Sequence, residues 1–192
     1  AAGQCVAIVG ATGSGKSTVA GLIAKFHLPE SGAVLIDGHD TRTLSSPWLH
    51  AHLGIVPQQN HLFAGSIYEN IRIVKPGATR EDVRAALAKL DCLETIESIP
   101  EGLDAEVGER GSALSLGQRQ LICFARAMIA DPRILILDEA TSAIDPLTEA
   151  RTQKAMRLLM EGRTSFVLAH RLSTLRHADW VVVMGDGKVV EQ

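Results

Sequence analysis

Residues 10–18 read Gly-Ala-Thr-Gly-Ser-Gly-Lys-Ser-Thr, and this stretch decides how the rest of the chain is interpreted. It contains Gly-x-x-x-x-Gly-Lys-Ser, the spacing of a phosphate-binding P-loop. The apolar run at residues 5–9 predicts a buried parallel strand before the loop, and residues 17–26 predict a helix after it. The buried face of that helix is expected to comprise Val19, Leu22, Ile23 and Phe26. Strand, loop and helix together are the context that this motif requires.

The loop residues suit a polyphosphate ligand. Glycines let the backbone N–H groups close around an anion, and the start of the helix adds partial positive charge. Lys16 can reach the β- and γ-phosphates, and the Ser17 hydroxyl can ligate Mg²⁺. The candidate nucleotide-binding residues are Gly10, Ala11, Thr12, Gly13, Ser14, Gly15, Lys16, Ser17 and Thr18.

Composition narrows the class of protein. A chain of 192 residues with 46% hydrophobic and 21% charged residues is typical of a globular domain. Its net charge of −3 argues against wrapping nucleic acid. The three cysteines have no metal-binding spacing and favour a reduced, cytosolic compartment. No apolar run approaches the ~20 residues that cross a bilayer.

Three further apolar runs, each predicted as a strand, end in polar residues. Gln58 follows residues 53–57, the pair Asp138 and Glu139 follows residues 134–137, and His170 follows residues 164–169. Ligands of open α/β sheets collect at the carboxyl ends of strands. Asp138 can therefore hold Mg²⁺, directly or through water. Glu139, one residue further, can act as general base on an attacking water.

Between the first and second of these strands the pattern becomes helical, from about residue 60 to residue 130. Thr79 to Asp82 predicts a capping box. Residues 119–129 predict an amphipathic helix, with Ser115 or Gly117 at a second anion-binding helix end. Beyond the helical region, Asp145 is expected to cap a helix over residues 146–160, and residues 180–190 to form a closing hairpin.

Taken in order, these motifs identify a family. The chain resembles the nucleotide-binding domain of an ABC transporter, exporter type, over essentially its whole length. The matching motifs are Walker A (10–18), the Q-loop at Gln58, the exporter-like segment 63–71, the X-loop (106–111), the signature (114–118), Walker B (134–139), the D-loop (142–145) and the switch histidine His170.

The resemblance implies an α/β fold with a P-loop NTPase (RecA-like) core, a mainly parallel sheet and an inserted α-helical subdomain. We expect residues 1–58 and 131–192 to form the core. Residues 59–130, which include the signature, should form the helical subdomain.

The resemblance also implies that this is an ATPase domain of a membrane exporter. ATP and Mg²⁺ would bind between two domains in a head-to-tail homo- or heterodimer. Gln58 and His170 would orient the γ-phosphate and the nucleophile, and Gln58 would join Ser17 and Asp138 as a metal ligand. The partner's phosphate would meet Ser115, Gly117 and Gln118. A transmembrane domain would dock near the Q-loop and X-loop, at the cytoplasmic face of a membrane, and no nucleic acid is expected.

In this family an adenine-stacking aromatic residue precedes Walker A. Nine residues precede Gly10 here and none is aromatic. The family also has C-terminal helices beyond the point at which this sequence stops. We therefore expect a domain trimmed at both ends. Loss of the base-stacking contact should weaken ATP binding by ~1–3 kcal/mol.

Three alternatives remain open. An ABC-type ATPase acting on DNA or ribosomes shares the motifs but usually carries coiled-coil insertions or basic surfaces. A P-loop kinase does not account for the signature or Glu139. A catalytically silent domain does not account for an intact Glu139 and His170.

Overall fold

The computed structural model describes residues 2–139, 145–169 and 175–192. Its strands are β1 (Cys5–Gly10), β2 (Leu35–Ile36), β3 (His39–Asp40), β4 (Leu53–Val56), β5 (Ile134–Asp138), β6 (Thr164–Leu168), β7 (Trp180–Gly185) and β8 (Lys188–Glu191). Its α-helices are α1 (Lys16–Ile23), α2 (Ser46–Ala51), α3 (Ile67–Arg72), α4 (Arg80–Lys89), α5 (Leu93–Glu97), α6 (Leu116–Ala130) and α7 (Pro146–Met160).

The strands form a six-stranded sheet in the order β4-β5-β6-β1-β7-β8 and a separate two-stranded ribbon, β2-β3. β1 lies at the centre and pairs in parallel with β6 and β7, while β5 pairs in parallel with β6. β8 turns back and pairs antiparallel with β7, which confirms the predicted closing hairpin. The mainly parallel α/β sheet confirms the predicted fold class.

The P-loop helix packs on the central strands through a small apolar cluster. Ile8, Leu168 and Met184 are its buried members, and Val19 of α1 packs against them. The predicted helix was too long, because α1 ends at Ile23 and Lys25 adopts a positive φ of 57°. Phe26, which we expected on the buried face, is consequently 62% exposed.

The described residues fall into two compact units. The first, the core unit, contains residues 2–55, 132–139, 162–169 and 175–192. The second, the helical unit, contains residues 56–131 and 145–161. The sequence predicts that residues 145–161 belong to the core, but α7 packs on α6 and is grouped with the helical unit.

Side-chain caps start most helices of the helical unit. Ser66, Thr79 and Ser115 each form a capping box at the start of α3, α4 and α6, and Asp145 accepts from the Thr148 N–H at the start of α7. The predicted caps at Thr79 and Asp145 are thus confirmed. No helix among the described residues is long and apolar enough to traverse a bilayer.

Candidate functional site

The P-loop occupies the turn between β1 and α1. Gly10 ends the strand with a φ of 152°, and a Cβ built there would lie 2.3 Å from the backbone oxygen of Met184. Gly15 caps the helix in the left-handed region, with a φ of 101°. Both positions therefore require glycine, one for space and the other for conformation.

Lys16 is held inside this turn. Its side chain is buried, and Nζ donates to the carbonyl oxygens of Gly10 at 2.7 Å and Ala11 at 3.0 Å. The ammonium group therefore lies against the loop itself. Ala11, Thr12 and Gly13 form the exposed crest of the turn, and Ser17 and Thr18 are exposed on the first turn of α1.

Two observations fit this turn to a phosphate group. No side chain caps the N-terminus of α1, because its N-cap residue is Gly15. Its first N–H groups therefore lack the side-chain acceptor that most other helices have, and a bound anion would supply one. In addition, the buried Ser14 hydroxyl has no hydrogen-bond partner among the described residues. A buried hydroxyl without a partner is costly unless a ligand or water satisfies it.

The two Walker B carboxylates lie at the same edge of the core sheet. Asp138, the last residue of β5, is level with Leu168 on β6, and Leu168 is level with Ile8 on β1. At ~4.8 Å between neighbouring strands, Asp138 lies roughly 10 Å from Ile8 across the sheet. Glu139 is only 6% exposed, and its N–H donates to the Leu168 carbonyl. The P-loop and both acids thus belong to one edge of one unit.

The other two strand-end predictions have different outcomes. His170 lies outside the described residues, although the N–H of its neighbour Ala169 donates to the Ile8 carbonyl at 3.0 Å. Gln58 is exposed, follows β4 and belongs to the helical unit. Their predicted roles at the phosphate remain predictions, as does the role of Gln58 as a metal ligand. Residues 142–144 of the D-loop also lie outside the described residues.

The signature forms the start of α6. Ser115 Oγ accepts from the Gln118 N–H at 3.2 Å, and Gln118 Oε1 accepts from the Ser115 N–H at 2.8 Å. The helix begins at Leu116, three residues earlier than predicted, because this reciprocal cap completes its first turn. Ser115 is exposed and Gly117 is buried.

Gly117 is required by its own chain. A Cβ at this position would lie 2.1 Å from Cγ2 of Thr148 on α7. The signature helix and the helix after the D-loop thus approach each other through a glycine. Any larger residue at position 117 must displace the Thr148 methyl group.

We expect Gly117→Ala to destabilise the chain by about 1–3 kcal/mol, the usual cost of overpacking a buried contact. Thr148→Ser removes the offending methyl group and keeps the hydroxyl, so the double variant should recover most of that loss. The test is thermal unfolding of both single variants, the double variant and the unmodified chain. A Gly117→Ala chain as stable as the unmodified one contradicts the steric argument.

Backbone hydrogen bonds join the exporter-like segment to the X-loop. The Ile67 N–H donates to the Ala105 carbonyl at 3.0 Å, and the Val107 N–H donates to the Gly65 carbonyl at 3.0 Å. At the other end of the X-loop, Arg119 of α6 donates to the carbonyl of Gly111 at 3.0 Å. The bonded pairs are 38 and 42 residues apart in the sequence, so the two motifs are neighbours in the helical unit despite that separation.

Sequence reasoning missed three residues that organise these motifs. Asn70 and Arg126 are buried or half-buried polar residues that contact the segment after Gln58, and Thr148 contacts Gly117. A charged residue within the apolar run of residues 121–130 is the signal that could have singled out Arg126. Asn70 has polar neighbours on α3 and gives no such signal. Nothing in the sequence pairs Thr148 with Gly117.

The fold and the loop together define the class of protein, a P-loop NTPase. Comparison with known proteins narrows it. The family described as "ABC transporter" matches residues 1–142. The uncharacterized ABC transporter ATP-binding protein YfiC of Bacillus subtilis is 48% identical over 191 residues, which cover 100% of this chain and 32% of that protein. The beta-(1→2)glucan export ATP-binding/permease protein NdvA of Rhodopseudomonas palustris is 49% identical, covering 98% of this chain and 31% of that protein.

A solved structure supports the same family assignment. A bacterial Atm1-family ABC exporter with ATP bound superposes with a TM-score of 0.90 and 43% identity, covering 100% of this chain and 33% of that one. The chain belongs to the ABC transporter family, as its motifs predicted. It spans about a third of the length of these relatives.

Proposed function

We propose that this chain binds ATP with Mg²⁺ and hydrolyses it to drive export across a membrane. The observation that carries the proposal is the P-loop edge of the core unit. There, an uncapped helix, a buried lysine and two strand-end carboxylates adjoin within one compact unit. Such an edge offers both halves of phosphoryl transfer, a cradle for the phosphates and acidic groups for metal and water.

Each residue of that edge has a role in the proposed reaction. Lys16 neutralises charge on the β- and γ-phosphates, and its present carbonyl partners, Gly10 and Ala11, give way to phosphate oxygens. Ser17 and Asp138 would hold Mg²⁺, with Gln58 as a predicted further ligand, and the bound ion would screen the charge that develops on the phosphates. Glu139 accepts the proton of the attacking water.

The signature is proposed to act on the nucleotide of a second copy or of a homologous domain. In each chain it starts a helix of the helical unit, whereas the P-loop belongs to the core unit. The exposed Ser115 and the N-terminus of α6 offer an anion-binding end for the partner's γ-phosphate. A head-to-tail dimer would form two complete sites. Each site would combine the P-loop and His170 of one chain with the signature of the other.

The transport partner is proposed from the relatives. One is named as an export ATP-binding/permease protein and another as an ABC exporter, and both are about three times the length of this chain. We propose a transmembrane domain that docks on the X-loop and the segment 63–71, with the chain at the cytoplasmic face. The exposed Phe63 and Ile73, in and next to that segment, suit such a contact.

Ser115→Ala tests the dimer in this proposal. ATP binding to the single chain should stay within about twofold, because the proposal assigns Ser115 to the partner's nucleotide and the P-loop to the chain's own. Hydrolysis, measured against chain concentration, should fall about tenfold or more, since charged hydrogen bonds to phosphate contribute ~1.5–3 kcal/mol. The variant also loses a helix cap worth ~1 kcal/mol. Thr79→Ala, which removes the equivalent cap of α4, is therefore the matched control and should hydrolyse normally. An equal loss of binding and hydrolysis in Ser115→Ala contradicts the proposal.

A further inference from the structure

Arg126 lies on α6 and converges with three groups of the segment that follows Gln58. Its Nε donates to the Asn70 carbonyl at 2.6 Å, and one terminal nitrogen donates to Asn70 Oδ1 at 2.6 Å. The other terminal nitrogen donates to the His61 carbonyl at 2.7 Å. The guanidinium carbon also lies 5.5 Å from the centre of the exposed Phe63 ring. One side chain thus contacts this segment at both ends.

Asn70 completes the network from the other side. It is 1% exposed, and its Oδ1 accepts from the Phe63 N–H at 2.9 Å as well as from Arg126. Its Nδ2 donates to the carbonyls of Phe63 at 2.8 Å and Ser66 at 3.0 Å. The amide therefore uses both of its ends on the backbone of residues 63–66, so this loop is fixed by side chains along its length.

The setting of Arg126 is unusual for a charged group. Burial lowers the pKa of its guanidinium below the ordinary value. Among the described residues no carboxylate forms an ion pair with it, and its hydrogen bonds go to carbonyl and amide oxygens. A partly buried charge without a counter-charge is an expensive way to stabilise a fold. This favours a role in placing the loop over a role in stability.

The same helix connects this loop to the signature. Arg126 follows the N-cap Ser115 by 11 residues on α6, which is about 16 Å along the axis at ~1.5 Å per residue. Arg119, between them, donates to the carbonyls of Gly111 and Leu114, just ahead of the signature. Backbone hydrogen bonds along the helix resist stretching between these points. A displacement of the loop after Gln58 would therefore be passed to Ser115 through Arg126 and the helix.

We propose that Arg126 is a positioning residue for ATP hydrolysis, which holds the loop after Gln58 in a fixed relation to the signature helix. The inference rests on the proposed function, because it assigns Gln58 and Ser115 to the same reaction. It adds a requirement within one chain. The Q-loop side and the signature side of the helical unit must move together, and Arg126 is the link between them.

The first part of the test measures the loop directly. Arg126→Lys keeps the positive charge but removes the planar fork that reaches Asn70 and His61 together. In hydrogen exchange of the whole chain, the Phe63 N–H and its neighbours up to Ser66 should exchange about tenfold faster, the effect of losing one charged hydrogen bond. Amides of β1 should be unchanged, as should all amides in Arg151→Lys, a matched change at an exposed arginine of α7. Unchanged exchange at residues 63–66 overturns the inference.

The second part measures hydrolysis. At chain concentrations where the unmodified protein hydrolyses ATP, Arg126→Lys should lower kcat about tenfold and leave KM and labelled-ATP binding within about twofold. Arg151→Lys should hydrolyse at the unmodified rate. Faster loop exchange with an unchanged kcat overturns the positioning role, and so does a rise in KM alone. An unmodified chain that binds ATP and never hydrolyses it contradicts the proposed function instead.

A second variant covers the case in which Arg126→Lys destabilises the whole chain, as loss of protection in β1 would reveal. Phe63→Leu removes the ring beneath the guanidinium at a residue that is 57% exposed, and it leaves every hydrogen bond of the network in place. Loop exchange should rise about twofold to fivefold, in line with a cation–π contact at an exposed site, and kcat should fall with it. An unchanged kcat in this variant overturns the inference.

Discussion

Glu139→Gln is expected to bind ATP as the unmodified chain does and to hydrolyse it at least a hundredfold more slowly, since a general base contributes ~10²–10⁴ in rate. The amide has the shape of the carboxylate but cannot accept the proton of the attacking water. Because Glu139 is almost fully buried, an isosteric replacement also leaves the packing at the end of β5 intact. ATP then remains uncleaved, and the head-to-tail dimer should accumulate.

Three measurements check this expectation: labelled-ATP titration, phosphate release, and size-exclusion chromatography with and without ATP. Glu30→Gln, at an exposed loop residue of the same unit, is the matched control and should hydrolyse normally. Phosphate release by Glu139→Gln at the unmodified rate removes Glu139 as the base. Asp138 is the next carboxylate to test in that event.

Lys16→Ala is expected to lose most of its affinity for ATP. The ammonium group is buried inside the P-loop, so it meets the phosphates away from bulk water, where a charged hydrogen bond contributes ~1.5–3 kcal/mol. Every 1.4 kcal/mol is about a factor of ten, so Kd should rise roughly tenfold to a hundredfold. Hydrolysis should fall further, because the same charge stabilises the γ-phosphate during transfer.

Labelled-ATP titration gives the change in Kd, and circular dichroism shows whether the core unit remains folded. Lys89→Ala, an exposed lysine at the end of α4, is the control and should bind normally. Equal affinities for Lys16→Ala and Lys89→Ala would mean that nucleotide binds elsewhere on the chain.

The sequence predicted well those features that depend only on neighbouring residues. The P-loop, the caps at Thr79 and Asp145 and the closing hairpin each follow from a few consecutive residues, and the structure contains all of them. Where such a local signal was lacking, the predicted helix boundaries were wrong. Lys25 turns into the left-handed region and exposes Phe26, although the apolar pattern continued across it.

Long-range contacts were beyond the sequence. Arg126 and Asn70 are 56 residues apart, and no spacing rule connects two side chains across such a distance. Gly117 and Thr148 meet only because α6 packs on α7. The same packing explains why α7 belongs to the helical unit, although a division by sequence order predicts it in the core. In each case tertiary packing decides the outcome.

The bare start of α1 has one more consequence. Four helices of the helical unit have an N-cap side chain from the chain itself, supplied by Ser66, Thr79, Ser115 and Asp145. Gly15 offers α1 no such side chain. A nucleotide phosphate would supply the missing cap and so become the last structural component of the core unit. Part of the binding free energy is then folding free energy, and the stability of this unit rises and falls with the supply of its own fuel.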